Sequence, residues 1–533
     1  MSGIKRHFIE AAGRRVHYRT AGSGPPVIML HGSPGDGQML EHEIIAASAA
    51  FSVIALDTPG FGFSDPLPRD TLTVRDLAAA TAEAMQALGL PPCRVFGTHT
   101  GAAIAIELGL GWPHLVTGLL MEGLPAFTQG EIDTLFQGYF APMVPDPLGG
   151  HLTSTWIRFR DQFTWFPWPS RDVTRLNPFD RPTPAEIDVW VSMFYRGSRT
   201  YSPAYRAACT YGQAAIAAAA ALRVPAIYTA TVEDMLHPHL DRLPDLQPNQ
   251  RIAQLPSPIA EKCVALTAYL QTLPSGDAPP PPPASRPVGD DPAMLFIDSG
   301  ADQVLVRCYG SPARPALLVA HNAPGTGLAC ETLARSLAAE FYVCVPDLPG
   351  NGHSTLAAGE RALQEGATAL SAVADHAGLR HFAVLGLGCG AAVAAVLAGR
   401  DDRRLSALLL DAPPAPNAAM AEAIAPDLRL SPEGAHWLRA WLSVRDGQIY
   451  DPWFAGTRET QLRTQGNFDA QWLHDQTCAL MSGRDTAHLL PREAWLFDTK
   501  AALRHATVPV HILPQGDRAA LVTARLQPEQ TAA

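Results

Sequence analysis

Apolar residues gather along this chain in short unbroken runs, each closed by a glycine- or proline-rich turn and followed by helical spacing. The pattern predicts strands near residues 6–11 and 15–21, then a buried strand at 26–30 that ends at His31. Further buried strands are predicted at 51–56, 93–96 and 116–121, with a helix over 101–110. After an insertion of roughly ninety residues come strands at 226–229 and 251–255 and a closing helix at 259–271. Continuous apolar strands that alternate with helices indicate a mostly parallel sheet covered on both faces, an α/β class.

The pattern is written twice. His31-Gly-Ser-Pro-Gly-Asp-Gly37 returns as His321-Asn-Ala-Pro-Gly-Thr-Gly327, and Asp57-Thr-Pro-Gly-Phe-Gly-Phe-Ser64 as Asp347-Leu-Pro-Gly-Asn-Gly-His-Ser354, at one common interval. Deeper in each half, His151, Trp156, Arg160, Asp161, Pro167 and Trp168 match His436, Trp441, Arg445, Asp446, Pro452 and Trp453 in identity and spacing. Between the copies lie five consecutive prolines within Ala278–Ala284, a run that favours an extended spacer. We therefore expect a tandem duplication, with domains at 1–274 and 293–533, a linker at 275–292, and cap insertions at about 125–215 and 414–500.

Composition narrows the function. The chain has 533 residues, 47% hydrophobic and 17% charged, with a net charge of −11. That charge argues against a nucleic-acid partner, which needs a basic surface to displace counterions. No apolar run reaches the length of a membrane span, and Met1–His7 has no secretory apolar core, so a cytoplasmic location is expected. The eight cysteines fall in no Cys-x-x-Cys pair and read as reduced core thiols. Lys5, Lys262 and Lys500 are the chain's lysines, and none falls in a candidate site, so Schiff-base chemistry has no carrier.

The His-Gly turn after the third strand, then Asp-x-x-Gly-x-Gly-x-Ser, then a Gly-x-x-x-Gly strand–turn–helix, resembles the α/β-hydrolase superfamily. The resemblance implies two tandem α/β-hydrolase-fold domains, each with a nucleophile elbow on which a serine normally stands. Here the elbows read Gly97-Thr98-His99-Thr100-Gly101 and Gly386-Leu387-Gly388-Cys389-Gly390. The glycines of the turn are kept, and the serine is in neither. The family's histidine after the last strand is also missing: the first copy has Pro256-Ser257-Pro258 there, and the second ends sixteen residues after Asp517. An ordinary Ser–His–Asp relay is not assembled in either half.

His99 is then the candidate catalytic residue, as general base on a water or as nucleophile on a carbonyl. Glu122, after the sixth strand, and Asp234, after the seventh, are the two carboxylates that could orient it. The resemblance places an oxyanion hole at the backbone N–H groups of Ser33 and Thr100. The function expected is hydrolysis of a small apolar ester, thioester or C–C bond substrate, with lyase chemistry within reach. The alternative is a pseudo-hydrolase that binds a hydrophobic ligand or protein partner, with His99 a relic. His31, Asp57 and Asp347 read as loop formers, and His237 and His239 as a loop pair, so neither metal nor cofactor is expected.

The aromatic-rich cap, with Trp156, Phe163 and Trp168, is the expected roof for substrate, although helical spacing assigns part of it to a cap core. Gly388 has no side chain to react, so the second half is expected to be non-catalytic. It is also expected to lack its last strand, leaving a sheet edge for the first half or another copy of the chain, as a homo-oligomer, to cover.

Overall fold

The structure, a computed structural model, describes residues 3–177, 180–281, 283, 292–357, 359, 361–400 and 402–526. Much of the expected linker, residues 282 and 284–291, lies outside the described residues. The chain forms two compact units, Met1–Val144 with Ser154–Val288 and Pro145–Thr153 with Gly289–Ala533.

The first unit is built on eight strands: β1 (Lys5–Ala11), β2 (Arg14–Ala21), β3 (Pro26–Leu30), β4 (Ser52–Leu56), β5 (Cys93–Thr98), β6 (Val116–Glu122), β7 (Ala226–Thr231) and β8 (Gln250–Leu255). Their order is β1-β2-β4-β3-β5-β6-β7-β8. The first two strands and their junction to β4 are antiparallel, and every pairing from β4 onward is parallel. β3 and β5 are buried at every residue, because helices cover both faces of the sheet centre. Helices Gln129–Leu135, Gly150–Gln162, Pro184–Gly197 and Tyr201–Thr210 fall in the chain between β6 and β7.

The second unit repeats this design in seven strands: β9 (Ala293–Ser299), β10 (Asp302–Tyr309), β11 (Ala316–Ala320), β12 (Tyr342–Pro346), β13 (Phe382–Leu387), β14 (Leu405–Asp411) and β15 (Val510–Ile512). Their order is β15-β14-β13-β11-β12-β10-β9. β15 is only three residues long, and among the described residues a helix, Arg518–Leu526, follows it rather than another strand.

The recurring Asp-x-Pro-Gly motif holds each sheet to its loops. Asp57 accepts from the backbone N–H of Gly37 (2.9 Å) and Phe63 (3.2 Å), from His17 Nδ1 (2.7 Å) and from Arg19 (3.0 Å). Asp347 does the same with Gly327 (2.9 Å), His353 (3.1 Å) and Arg307 (2.8 Å). His31 braces its own turn, donating from Nδ1 to the Gly32 carbonyl and accepting at Nε2 from the Thr58 N–H. Asp57→Ala leaves Arg19 with only the longer contact to Asp36 (3.6 Å) and strips the buried His17 Nδ1 and the Gly37 N–H of their carboxylate acceptor. It should cost about 3–5 kcal/mol in denaturant unfolding, and a loss under 1 kcal/mol would show the network to be dispensable.

Among the described residues, no helix is long and apolar enough to cross a membrane.

Candidate functional site at the first elbow

His99 stands between β5 and the helix Thr100–Gly111 at φ 51°, ψ −110°. A side chain with a Cβ pays strain for that left-handed geometry, on the order of 1–3 kcal/mol. The turn is possible because Gly97 and Gly101 flank it. A Cβ on Gly101 would lie 2.1 Å from the Leu30 carbonyl oxygen, and one on Gly97 would lie 2.2 Å from that of Gly101. The His99 backbone N–H donates to the Glu122 carbonyl at 2.8 Å, tying the elbow to the end of β6.

The imidazole turns toward the loop after β7. Nε2 lies 2.8 Å from Asp234 Oδ2, and Asp234 Oδ1 accepts from the Leu236 backbone N–H at 2.8 Å. The pair is asymmetric in exposure, with the His99 side chain 37% exposed and that of Asp234 10%. Burial by itself would lower the His99 pKa. The charge and hydrogen bond of Asp234, with a smaller contribution from Glu122, outweigh it and hold the imidazole above its ordinary value. Burial likewise pushes Asp234 up, but His99 and the Leu236 N–H bring it below the usual carboxylate range. Gly123 makes room for the contact: at φ +64°, a Cβ there would stand 2.6 Å from His99 Cδ2 and 3.1 Å from Asp234 Oδ2.

Glu122, the other expected partner, is engaged elsewhere. Its carboxylate lies 3.0 Å from Lys262 Nζ, and Glu43 meets the same ammonium at 3.0 Å. The expectation that no lysine enters a candidate site is therefore corrected. Lys262, on the helix Ile259–Thr272, is far from the elbow in sequence, and its helical neighbours gave no sign that it turns inward.

Ser33 and Thr100 do come together, with the Thr100 hydroxyl donating to Ser33 Oγ at 2.9 Å. Neither backbone N–H has an intramolecular acceptor among the described residues. Both residues and His99 border a half-open pocket of about 400 Å³ counting its mouth, walled by Phe127, Leu135, Tyr139, Phe166, Tyr205 and Leu236 among others.

Trp156, Phe163 and Trp168 do not line this pocket. Trp156 is buried, and Phe163 packs edge-on to Trp190 at 5.6 Å. Trp168 faces the Arg158 guanidinium (5.6 Å), which also lies over Phe159, Phe194 and Tyr201. Those rings form the cap's own core because they surround a buried cation, and neighbouring Phe166 and Tyr205 take the pocket wall instead. His237 and His239 hold no metal cluster among the described residues; His239 Nδ1 accepts from the Ala126 N–H.

A sequence profile of the α/β hydrolase fold matches residues 25–159 and again 315–444. The chain is a tandem member of the α/β-hydrolase superfamily. Curated relatives include a proline iminopeptidase of Arabidopsis thaliana, 30% identical over 26% of this chain and 34% of its own length. A zearalenone hydrolase of Cladophialophora bantiana is 31% identical over 23% of this chain and 48% of its own. A soluble epoxide hydrolase of a Corynebacterium strain is 35% identical over 19% and 35%. The chain thus spans about a third to a half of the relatives it matches. Among solved structures, an epoxide hydrolase from an endophytic Streptomyces covers 51% of this chain and 96% of its own at 18% identity, with a TM-score of 0.41.

In this tandem hydrolase-fold chain the second elbow keeps the backbone of the first, with Gly388 at φ 52° and ψ −119°. Its surroundings differ by a reciprocal exchange of volume. Where the first unit pairs Gly32 with His99, the second pairs Asn322 with Gly388. Asn322 Oδ1 accepts from the Cys389 backbone N–H at 2.9 Å, and a Cβ on Gly388 would meet that oxygen at 2.2 Å. Conversely, a Cβ on Gly32 would sit 3.3 Å from His99 Cβ. The Cys389 thiol donates to the Ala323 carbonyl, and burial pushes it up to about 12, so it carries no thiolate near neutrality. Asp411, the counterpart of Glu122, is bound by Arg518.

Proposed function

We propose that the first unit is a hydrolase of small, largely apolar esters or thioesters that works through His99 and Asp234, and that the second unit is non-catalytic. The observation that carries this reading is the 2.8 Å contact of His99 Nε2 with Asp234. It commits Nε2–H to the carboxylate and leaves Nδ1 as the nitrogen that can take a proton, beside two backbone N–H groups without acceptors.

In this scheme a water gives a proton to His99 Nδ1 while its oxygen attacks the acyl carbon. The carbonyl oxygen becomes an oxyanion held by Ser33 N–H and Thr100 N–H. When the intermediate collapses, the acyl–oxygen or acyl–sulfur bond breaks, the imidazolium returns its proton to the leaving alkoxide or thiolate, and acid and alcohol or thiol depart. No serine ester forms, and no second histidine is required. The aromatic and aliphatic pocket walls favour an apolar acyl or aryl group. The hydrolase names of the relatives agree with the reaction class. In the second unit the Asn322 amide oxygen already occupies the elbow donor, which supports a binding or structural role there. Eight cysteines without disulfides suit the cytoplasm.

The test is a panel of short-chain 4-nitrophenyl esters and acyl thioesters on wild type and His99→Ala. A fall in kcat/KM of about 10²–10⁴ is expected for a lost general base. Equal rates in the two proteins would remove His99 from the mechanism. Asn322→Gly/Gly388→His in the second unit should leave the total rate unchanged, since Asp517, the acid after β15, accepts from the Ala519 and Ala520 N–H groups and Asp411 is paired with Arg518.

A further inference from the structure

Beneath the elbow lies a charged cluster that the proposed chemistry does not use directly. Lys262 Nζ bridges Glu43 Oε1 and Glu122 Oε1, each at 3.0 Å, with both carboxylates nearly buried and the ammonium 17% exposed. The second Glu43 oxygen has no hydrogen-bond partner among the described residues. Three elements converge there: the helix Glu41–Ala47, the end of β6 and the helix Ile259–Thr272. Glu122 also supplies the carbonyl that receives the His99 N–H. The cluster and the dyad therefore share one residue and one electrostatic environment.

We infer that Lys262 is the positioning residue of the His99 site: by holding Glu122 and Glu43, it leaves Asp234 as the sole carboxylate on the imidazole and sets the charge against which His99 titrates. This rests on the His99 reading above but is measured separately from turnover. Three carboxylates, Glu43, Glu122 and Asp234, face one ammonium, so the cluster keeps an excess of negative charge that protonation of His99 reduces. Arg242 and Glu131, paired with each other, are the charges beside His239, and the Cys263 thiol next to Lys262 is pushed up to about 11 by burial and so is uncharged near neutrality. His239 is lowered to about 4 by burial first and Arg242 second, while burial raises the Tyr139 and Tyr205 phenols and the Cys209 thiol. Removing the ammonium would leave the carboxylates to stabilise the imidazolium without opposition. Glu122, which burial already pushes upward against the pull of Lys262, would lose its counter-ion and be free to turn toward His99.

The experiment follows the His99 ring by NMR in the full chain with ¹³C-labelled histidine, the resonance assigned by its loss in His99→Ala. Lys262→Met is expected to raise the His99 titration midpoint by about one pH unit, the scale of a lost neighbouring charge. Lys262→Arg should bring it back to within about 0.3 unit of wild type, because Arg retains the charge. Glu122→Gln added to Lys262→Met should cancel most of the rise. If Lys262→Met alone does not fold, the triple variant with Glu43→Gln and Glu122→Gln removes the buried charges together; its midpoint should then lie near wild type. A midpoint unmoved in folded Lys262→Met, or unmoved by adding Glu122→Gln, overturns the assignment. A moved midpoint in a protein that hydrolyses nothing in the panel would retain Lys262 and discard the proposed reaction.

Discussion

Asp234→Asn should lower kcat/KM on 4-nitrophenyl esters by about 10²–10⁴ while leaving the fold intact, because the amide nearly matches the carboxylate in shape but not in hydrogen-bond polarity. Aspartate accepts from Nε2–H at 2.8 Å and so keeps the Nδ1 lone pair available. An asparagine that turned its NH₂ group toward Nε2 would stabilise the other tautomer, with the proton on Nδ1, and the base would be blocked. The pH profile should move as well. Asp234 holds the His99 pKa above its ordinary value, so wild-type kcat/KM should climb with pH on the alkaline side of about 6.5. In Asp234→Asn the residual rate should begin to climb at lower pH. The same linkage bears on stability. A raised imidazole contributes stability fully present below its unfolded pKa and loses it as pH rises through the folded value. A residual rate with an unshifted pH profile would show that Asp234 does not set the tautomer.

Gly123→Ala should be as severe by an entirely steric route. The added methyl group meets His99 Cδ2 at 2.6 Å and Nε2 at 2.9 Å, with Asp234 Oδ2 at 3.1 Å, at a residue whose φ of +64° already disfavours a side chain. The backbone cannot yield, since the Gly123 N–H is bonded to the Thr229 carbonyl at 2.8 Å within the sheet. The imidazole must therefore swing away and break its bond to Asp234. A loss of activity close to that of His99→Ala is expected, with the NMR midpoint of His99 falling toward its ordinary value. Stability should drop by about 1–3 kcal/mol, the range for strain at such a position. Wild-type activity in this variant would mean that the contact between His99 and Asp234 is not required.

Both expectations depend on residues whose importance differed in how it could be read. The elbow was legible because its glycines are local: a strand, two glycines four residues apart and a helix identify a sharp turn from spacing alone. The turn-forming roles of His31 and Asp57 were legible for the same reason, whereas the bonds of Asp57 to His17 and Arg19 and of His31 to the Thr58 N–H, which join segments 27–40 residues apart, were not. The choice between Glu122 and Asp234 was not. Both follow buried strands, and the deciding factor, Lys262, comes from a helix about 140 residues beyond Glu122 with an unremarkable amphipathic pattern. The cap aromatics misled for a related reason. Ring density signals burial equally for a ligand roof and for a core, and only the contacts separate them: Trp168 lies against the Arg158 guanidinium and Phe163 against Trp190, while Phe166 and Tyr205 border the pocket.

From the order of amino acids come the doubling of the chain, the α/β architecture of each copy, the strained turn under His99 and the loss of any side chain at Gly388. These are properties of short segments, decided by strand and helix periodicity and by where only glycine fits. The folded structure alone decided which acid reaches His99, what fills the second elbow and which rings border the pocket. Each of those outcomes turns on ångström-scale competition between groups distant in sequence: Lys262 against His99 for Glu122, and Asn322 for the space left by Gly388.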